Sequence, residues 1–352
     1  MKGVGVHEII RREELPTYNV DYVTFSRNVF IPVTNVCRNA CKYCGFRRPI
    51  NSKEAYLMKR EDVRRIFEKN TVATEALFTF GEHPEEVPLF REWLKKTGHS
   101  NIIDHLIDLS KMAIESGLLP HTNIGILNYG ELKRLKPLNA SMGLMLESTA
   151  NLDVHRDSPG KDPEERIRTI EDAGRLKIPF TTGILLGIGE SWDDRIKSLS
   201  VIKDLHNKYS HIQEVIIQPF TPKKATTMSS HPPPSFDILK KTVAIARMIL
   251  PEDVHIQVPP NLISPYELVR HGATDLGGIS RQTIDHINPE SEWPTEEELR
   301  DMLRGIPLKE RLPIYPGFIK KRWYGDETVT LIEEYADEEG LRGLDKRTED
   351  EG

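Results

Sequence analysis

Along most of the chain, short apolar or β-branched runs alternate with longer stretches whose apolar residues recur every three or four positions. The first pattern reads as a buried strand and the second as a helix packed on one face. Their repeated alternation predicts a parallel sheet built from βα units. Strands are expected at 28–34, 76–81, 122–126, 141–146, 180–186, 215–219 and 254–258, with a weak eighth at 273–276. Ile102, Leu106, Leu109 and Ala113 form one apolar helix face; Leu239, Val243, Ala246 and Leu250 form another. Start signals support such helices. Asp162-Pro163-Glu164-Glu165 supplies an N-cap, a proline at the first helical position and early acids; Ser264-Pro265-Tyr266-Glu267 repeats the device. Thr295 with Glu298 reads as a capping box.

Eight strands predict a closed TIM-type (β/α)8 barrel; six or seven predict an open partial barrel. The weak eighth strand leaves that choice open. In either case the binding loops gather at the C-terminal ends of the strands. The organisation expected is a polar leader over 1–27, a barrel over 28–290 with no internal boundary, and an extension over 291–332 packed on the barrel. An acidic tail follows over 333–352. That tail carries nine acids and three bases, which accounts for the whole net charge of −6. The rest of the chain is balanced, so there is no basic footprint for a nucleic acid. No apolar run is long enough to span a bilayer, and the start has no signal-peptide core. A cytoplasmic protein, away from membranes, is the expectation.

Composition matters most at one point. The chain has three cysteines, Cys37, Cys41 and Cys44, all within the segment NVCRNACKYCGF. An odd set this tight cannot be a disulfide framework, and thiols kept free fit a reducing compartment. Thiolates are the usual ligands of iron–sulfur clusters, and a four-iron cluster normally takes four. Three would leave one iron open to a substrate or cofactor. A Cys3His zinc site is the competing use. It requires a fourth ligand, and the nearest downstream histidine, His83, has no paired spacing.

The C-x3-C-x2-C spacing resembles the signature of the radical S-adenosylmethionine (SAM) family. The resemblance implies one 4Fe-4S cluster at the C-terminal mouth of the barrel, held by the three cysteines, with the open iron chelating SAM. It implies further that Tyr43 lies near the adenine. Gly81 and Glu82, in Gly81-Glu82-His83-Pro84, occupy the place of the family's Gly-Gly-Glu motif for the SAM amino group, although Phe80 replaces its first glycine. Glu147 would hold the ribose hydroxyls, and Arg166 the SAM carboxylate, for which a guanidinium fork is suited. The run Gly183 to Glu190 resembles the family's G-x-I-x-G-x-x-E, which would bring Gly187 and the backbone of Ile188 to the adenine. The same residues also read as a tight turn before the Ser191 cap.

Several longer runs, among them SRNVFIPVTNVCRNACKYCGFR, GEHPEE and IIQPFTPK, are similar to the deazaflavin-forming branch of that family. This implies a role in making the chromophore of coenzyme F-420, with a second 5′-deoxyadenosyl radical acting on an adduct made by a sister radical SAM subunit, CofH. Partners implied are CofH or its diffusible product, and a low-potential electron donor. Catalytic acid–base residues are not identified by the resemblance. A CofH-type or other radical SAM catalyst on a different substrate remains an alternative, as does an electron-transfer iron–sulfur protein, which would need a fourth ligand. His121, His155, His255 and His271 lack paired spacing and read as structural or surface residues, not ligands. Gln218 and Gln257 sit in strand runs and either bind a polar substrate or fill satisfied core positions.

Overall fold

The computed structural model describes residues 5–70 and 72–343. Among these residues nine strands follow in chain order: β1 (Val23–Ile31), β2 (Glu75–Thr79), β3 (Leu119–Asn123), β4 (Ser141–Gly143), β5 (Phe180–Leu186), β6 (Ile212–Pro219), β7 (His255–Gln257), β8 (Asp275–Ile279) and β9 (Leu308–Glu310). Each of the first eight pairs in parallel with its neighbour, and β1 pairs with both β2 and β8. The eight therefore close into a TIM-type barrel. Helices cover its outside, and the two predicted apolar faces are buried as expected, with Leu106, Leu109, Ala113 and Val243 fully enclosed. No helix among the described residues is long and apolar enough to cross a membrane.

Strand limits depart from the sequence expectation for a common reason. β1 starts at Val23, inside the predicted leader, and β6 starts at Ile212. Ser26 and Glu214 look like breaks in an apolar run, but they face the barrel interior and line a cavity, as Asn28 does. β3 lies three residues earlier than predicted and takes in Pro120. β4 is shorter than expected, yet its ladder resumes further on: the Leu185 amide donates to the Glu147 carbonyl at 3.0 Å. β8 is shifted towards two glycines, Gly277 and Gly278. Ser264 makes no capping bond; the helix after it, Tyr266–Arg270, is five residues long. Asp162 and Thr295 cap as predicted.

The extension does more than pack on the outside. β9 pairs with the first half of β1, and the next residues pass under the barrel. Gln213 Nε2 donates to the Pro313 carbonyl at 3.2 Å, and Arg311 enters the interior. A second apolar cluster, including Leu312, Ile314, Tyr315 and Phe318, seals that end. It also takes in Tyr335, and Leu341 is likewise buried. The first part of the predicted acidic tail is thus ordered structure, held by the Arg342 amide, which donates to the Glu310 carbonyl at 3.0 Å. Residues 344–352 lie outside the described residues.

Candidate active site

The loop after β1 carries the cysteines to the C-terminal mouth, and its shape is set by backbone bonds to neighbouring loops. The Arg38 amide donates to the Glu82 carbonyl, Ala40 to Asp157 and Lys42 to Val154. Asn35 braces the far side, its side chain bonding to the Glu54 carbonyl and the Tyr56 amide. All three thiols line one cavity of about 420 Å³ that runs from the mouth down to Arg311. The amides of Asn39 and Glu82 point at Cys37 Sγ, at 3.4 and 3.2 Å. Burial pushes the Cys37 thiol up to about 11 and raises that of Cys41. A buried thiol surrounded by donors is poorly satisfied as a thiol and well satisfied as a metal-bound thiolate.

Among the described residues, no three His, Cys, Asp or Glu side chains converge on a point where a single metal ion would sit. His83, the zinc alternative's nearest candidate, instead uses Nε2 on the Ile126 carbonyl at 2.9 Å. A four-iron cluster asks something different, since each thiolate binds a different corner. Three cysteines spread round one cavity wall fit that requirement.

Beside the cysteines is a buried network of charge. Glu82 is 4% exposed. Its carboxylate accepts from Arg38 Nε at 3.0 Å, Asn39 Nδ2 at 3.0 Å, the Ile126 amide at 3.0 Å and Arg166 Nη1 at 3.4 Å. Burial opposes its ionisation, but Arg166, Lys161, the Ile126 amide and Arg38 outweigh it and hold the carboxyl below the usual range. Arg166, from the helix Pro163–Arg175, also donates to the carbonyls of Met145 (2.6 Å) and Gly160 (2.5 Å). Glu147 has a left-handed backbone, φ 65°, and is ion-paired with Lys161. Arg166 Nη2 is 3.9 Å from the same carboxylate. Burial again opposes ionisation at Glu147, and Lys161 and Arg166 overcome it.

Cys37, Cys41, Cys44, Tyr43, Gly81, Glu82, Glu147 and Arg166 therefore line one cavity. Gly81 is there for packing: a Cβ would lie 1.9 Å from the Val36 carbonyl oxygen, so a side chain would displace the cysteine loop. Gly187 and Ile188 are not on the cavity wall. Their amides are both taken by the Glu190 carboxylate, at 2.9 and 2.8 Å, and Arg195 locks that carboxylate in turn. Ile188 is buried with Leu185, Phe220 and Met228 in an apolar patch against which Tyr43 packs. Tyr43 hydroxyl meets His155 Nε2 at 3.0 Å, and burial keeps this histidine neutral, at about 4.

Sequence reading missed Arg38, Asn39 and Lys161. The signal for Lys161 was its position just before the Asp162 cap, in the same turn that aims Arg166. Asn39 lies between two cysteines, where its spacing carries no signal of its own. Of the other residues considered, Gln218 and Gln257 both line the cavity. His121 also lines it, His255 stacks on Tyr315 at 4.2 Å between centroids, and His271 bonds to the Pro16 carbonyl.

The lower cavity holds a second charged group. Arg311 donates to Asp275 from Nε (2.7 Å) and Nη2 (2.9 Å), and to Glu214 at 3.3 Å. Ser26 Oγ donates to Glu75 at 2.7 Å. Two carboxyls bond this guanidinium, and Glu75 feels its charge without bonding it. Burial raises Glu75 to about 7 and Glu214 to about 8, although Arg311 pulls both the other way; Asp275, doubly bonded to Arg311, stays low against its burial.

Residues 31–202 match the model of the radical SAM superfamily. The chain is 59% identical over 324 residues to the 7,8-didemethyl-8-hydroxy-5-deazariboflavin synthase of Methanococcoides burtonii, covering 92% of this chain and 98% of that protein. It is 53% identical over 321 residues to the synthase of the same name from Archaeoglobus fulgidus, covering 90% and 98%. Two solved structures share the fold. HydG, a maturase of the [FeFe]-hydrogenase, has a TM-score of 0.66 at 18% identity, over 88% of this chain and 68% of that one. Methylornithine synthase (PylB) has a TM-score of 0.61 at 18% identity, over 82% and 84%.

Proposed function

The chain belongs to the 7,8-didemethyl-8-hydroxy-5-deazariboflavin synthases of the radical SAM superfamily, and from that membership we propose the chemistry and the residues that carry it. The reaction is a step of deazaflavin biosynthesis. It converts 5-amino-5-(4-hydroxybenzyl)-6-(D-ribitylimino)-5,6-dihydrouracil to the three-ring deazaflavin, releasing ammonia, 5′-deoxyadenosine and methionine. The observation that carries this reading is 59% identity to a synthase along 98% of its length.

The family implies a 4Fe-4S cluster and SAM. When bound and reduced, they supply the 5′-deoxyadenosyl radical that takes hydrogen from the substrate. In our reading Cys37, Cys41 and Cys44 hold the cluster. Glu147 and Arg166 orient SAM by its ribose and carboxylate, and Tyr43 backs the adenine. Gly81 keeps the cysteine loop close to the site. The carboxylate of Glu82 acts at one remove, because four protein donors already occupy it. It is a positioning residue that fixes Arg166 and the cysteine loop together. Gly187 and Ile188 likewise act through the wall behind Tyr43, not through free amides. The deep barrel encloses the site of the radical chemistry, whereas a simple electron carrier has no use for a cavity of about 420 Å³ beside its cluster.

We further propose that the adduct comes from CofH, as a bound subunit or by diffusion, that a low-potential donor reduces the cluster, and that the protein works in the cytoplasm, where the thiols stay reduced. The test is anaerobic turnover of the iron- and sulfide-reconstituted protein with reductant, SAM and the adduct. Deoxyadenosine together with deazaflavin fluorescence is expected. Deoxyadenosine without fluorescence would point to a different substrate. A protein with an intact cluster that fails to bind SAM would overturn the assignment.

A further inference from the structure

In an ordinary (β/α)8 barrel, layers of branched apolar side chains fill the interior. The lower interior here is polar and hollow. Ser26, Asn28, Glu75, His121, Glu214 and Gln257 line the cavity, and Asn28 and Glu75 are cross-strand partners. One step nearer the mouth the same strands turn apolar, with Phe30, Leu77 and Ile216 on the wall.

Two amides in this floor lack partners. Asn28 is 2% exposed, and its Oδ1 is buried without a hydrogen bond. Leaving a buried amide oxygen unpaired costs stability, so such a group calls for an explanation. The Gln257 side chain also makes no hydrogen bond among the described residues. Strand β8 makes room for both amides. A Cβ on Gly278 would lie 2.1 Å from Asn28 Nδ2, and one on Gly277 would lie 2.2 Å from Gln257 Nε2. Glu75 offers a third group: Ser26 occupies one of its oxygens and leaves the other free.

The charge balance narrows the ligand. Arg311 is committed to Asp275 and Glu214, so among the described residues the floor offers no spare cation to an anionic group. Amides and carboxyls both donate and accept, or switch between the two, and this matches a row of neutral hydroxyls. An aromatic ring would leave these groups unpaired; it suits the apolar belt above. Resting on the function proposed above, we propose that the barrel floor binds the ribityl chain of the substrate, with Asn28, Gln257 and Glu75 as specificity-determining residues. The hydroxybenzyl ring then lies on the belt of Phe30, Leu77 and Ile216, nearer the cysteines.

Anaerobic fluorescence titration tests this with two probes: the deazaflavin product, and its analogue with a methyl group in place of the ribityl chain. Wild-type protein should bind the analogue at least about tenfold more weakly, the worth of one or two hydrogen bonds. In Asn28→Ala the product should weaken by about tenfold and the analogue hardly at all, so the gap closes. Gln257→Ala should act in the same direction and carries the test alone if Asn28→Ala does not fold. No gap in the wild type, or equal loss of both probes in the variants, would overturn the assignment. If the protein still turns over the adduct in that case, the function stands and only the floor is wrong. A protein that binds neither probe and makes no product overturns both.

Discussion

Glu75 provides a sharp test of the buried charge at the barrel floor. Burial lifts its carboxyl from 4.5 to about 7, against the pull of Arg311 and the Ser26 hydroxyl, while Asp275 adds to the rise. Between those pH values the folded chain keeps a proton that the unfolded chain gives up. The contribution to stability is therefore fully present below pH 4.5 and is lost as pH rises through about 7. At about 1.4 kcal/mol per tenfold change in protonation, the shift corresponds to about 3 kcal/mol. Local relaxation and water in the cavity reduce that, so about half, roughly 1.5 kcal/mol, is the expected effect. Glu75→Gln keeps the shape and can still accept from Ser26, but it cannot ionise. The melting temperature of the variant should gain on the wild type by about 2 °C between pH 5 and pH 8.5. Thermal unfolding of both apoproteins by circular dichroism, with thiols kept reduced, measures that difference. Glu214, which titrates higher, is present in both proteins. Melting curves that keep a constant separation across the range would show that Glu75 has an ordinary carboxyl, and the charge reasoning would fail.

Replacing any one of Cys37, Cys41 or Cys44 by alanine should abolish the brown cluster absorbance on reconstitution; full iron retention would remove that residue from the ligand set. Arg166→Ala strips donors from Met145, Gly160 and Glu82, so it should lower stability by about 3–5 kcal/mol as well as weaken SAM binding. Isothermal titration and denaturant melts would read the two effects, and an unchanged SAM affinity would cancel its assigned role. Ending the chain after Gly343 should leave melting and turnover intact. Ending it after Ile332 removes buried Tyr335 and Leu341 and should cost about 3 kcal/mol or more, seen as a lower urea midpoint.

The barrel was legible because its outer layer obeys simple rules. Helix faces such as Leu239, Val243 and Ala246 repeat at the helical period, and β5, with its aromatic, β-branched and apolar residues, is buried along its whole length. The cysteine loop was legible because spacing alone limits what three thiols can do. What escaped was the inside. A hollow barrel needs polar residues at inward strand positions, and these interrupt the pattern that marks a strand; hence the misplaced start of β1 and the faint β8. Arg311 gave no signal at all, since one arginine in a short polar stretch reads as surface. Nor could the sequence show that Glu190 folds back on the Gly187 and Ile188 amides, because the motif gives spacing and not direction.

The placement of β9 bears on how the molecule comes into being. The first strand is made before the other seven strands of the barrel, and the segment that pairs beside it and supplies Arg311 is made after all of them. Until then Asp275 and Glu214 have no guanidinium, and the lower end of the cavity stands open. A nascent chain halted before residue 308 thus has every cysteine but no finished floor. Cluster loading before that segment is in place would put iron and sulfide into a barrel still open at its base, so maturation is best ordered with the closing segment first and the cofactor second.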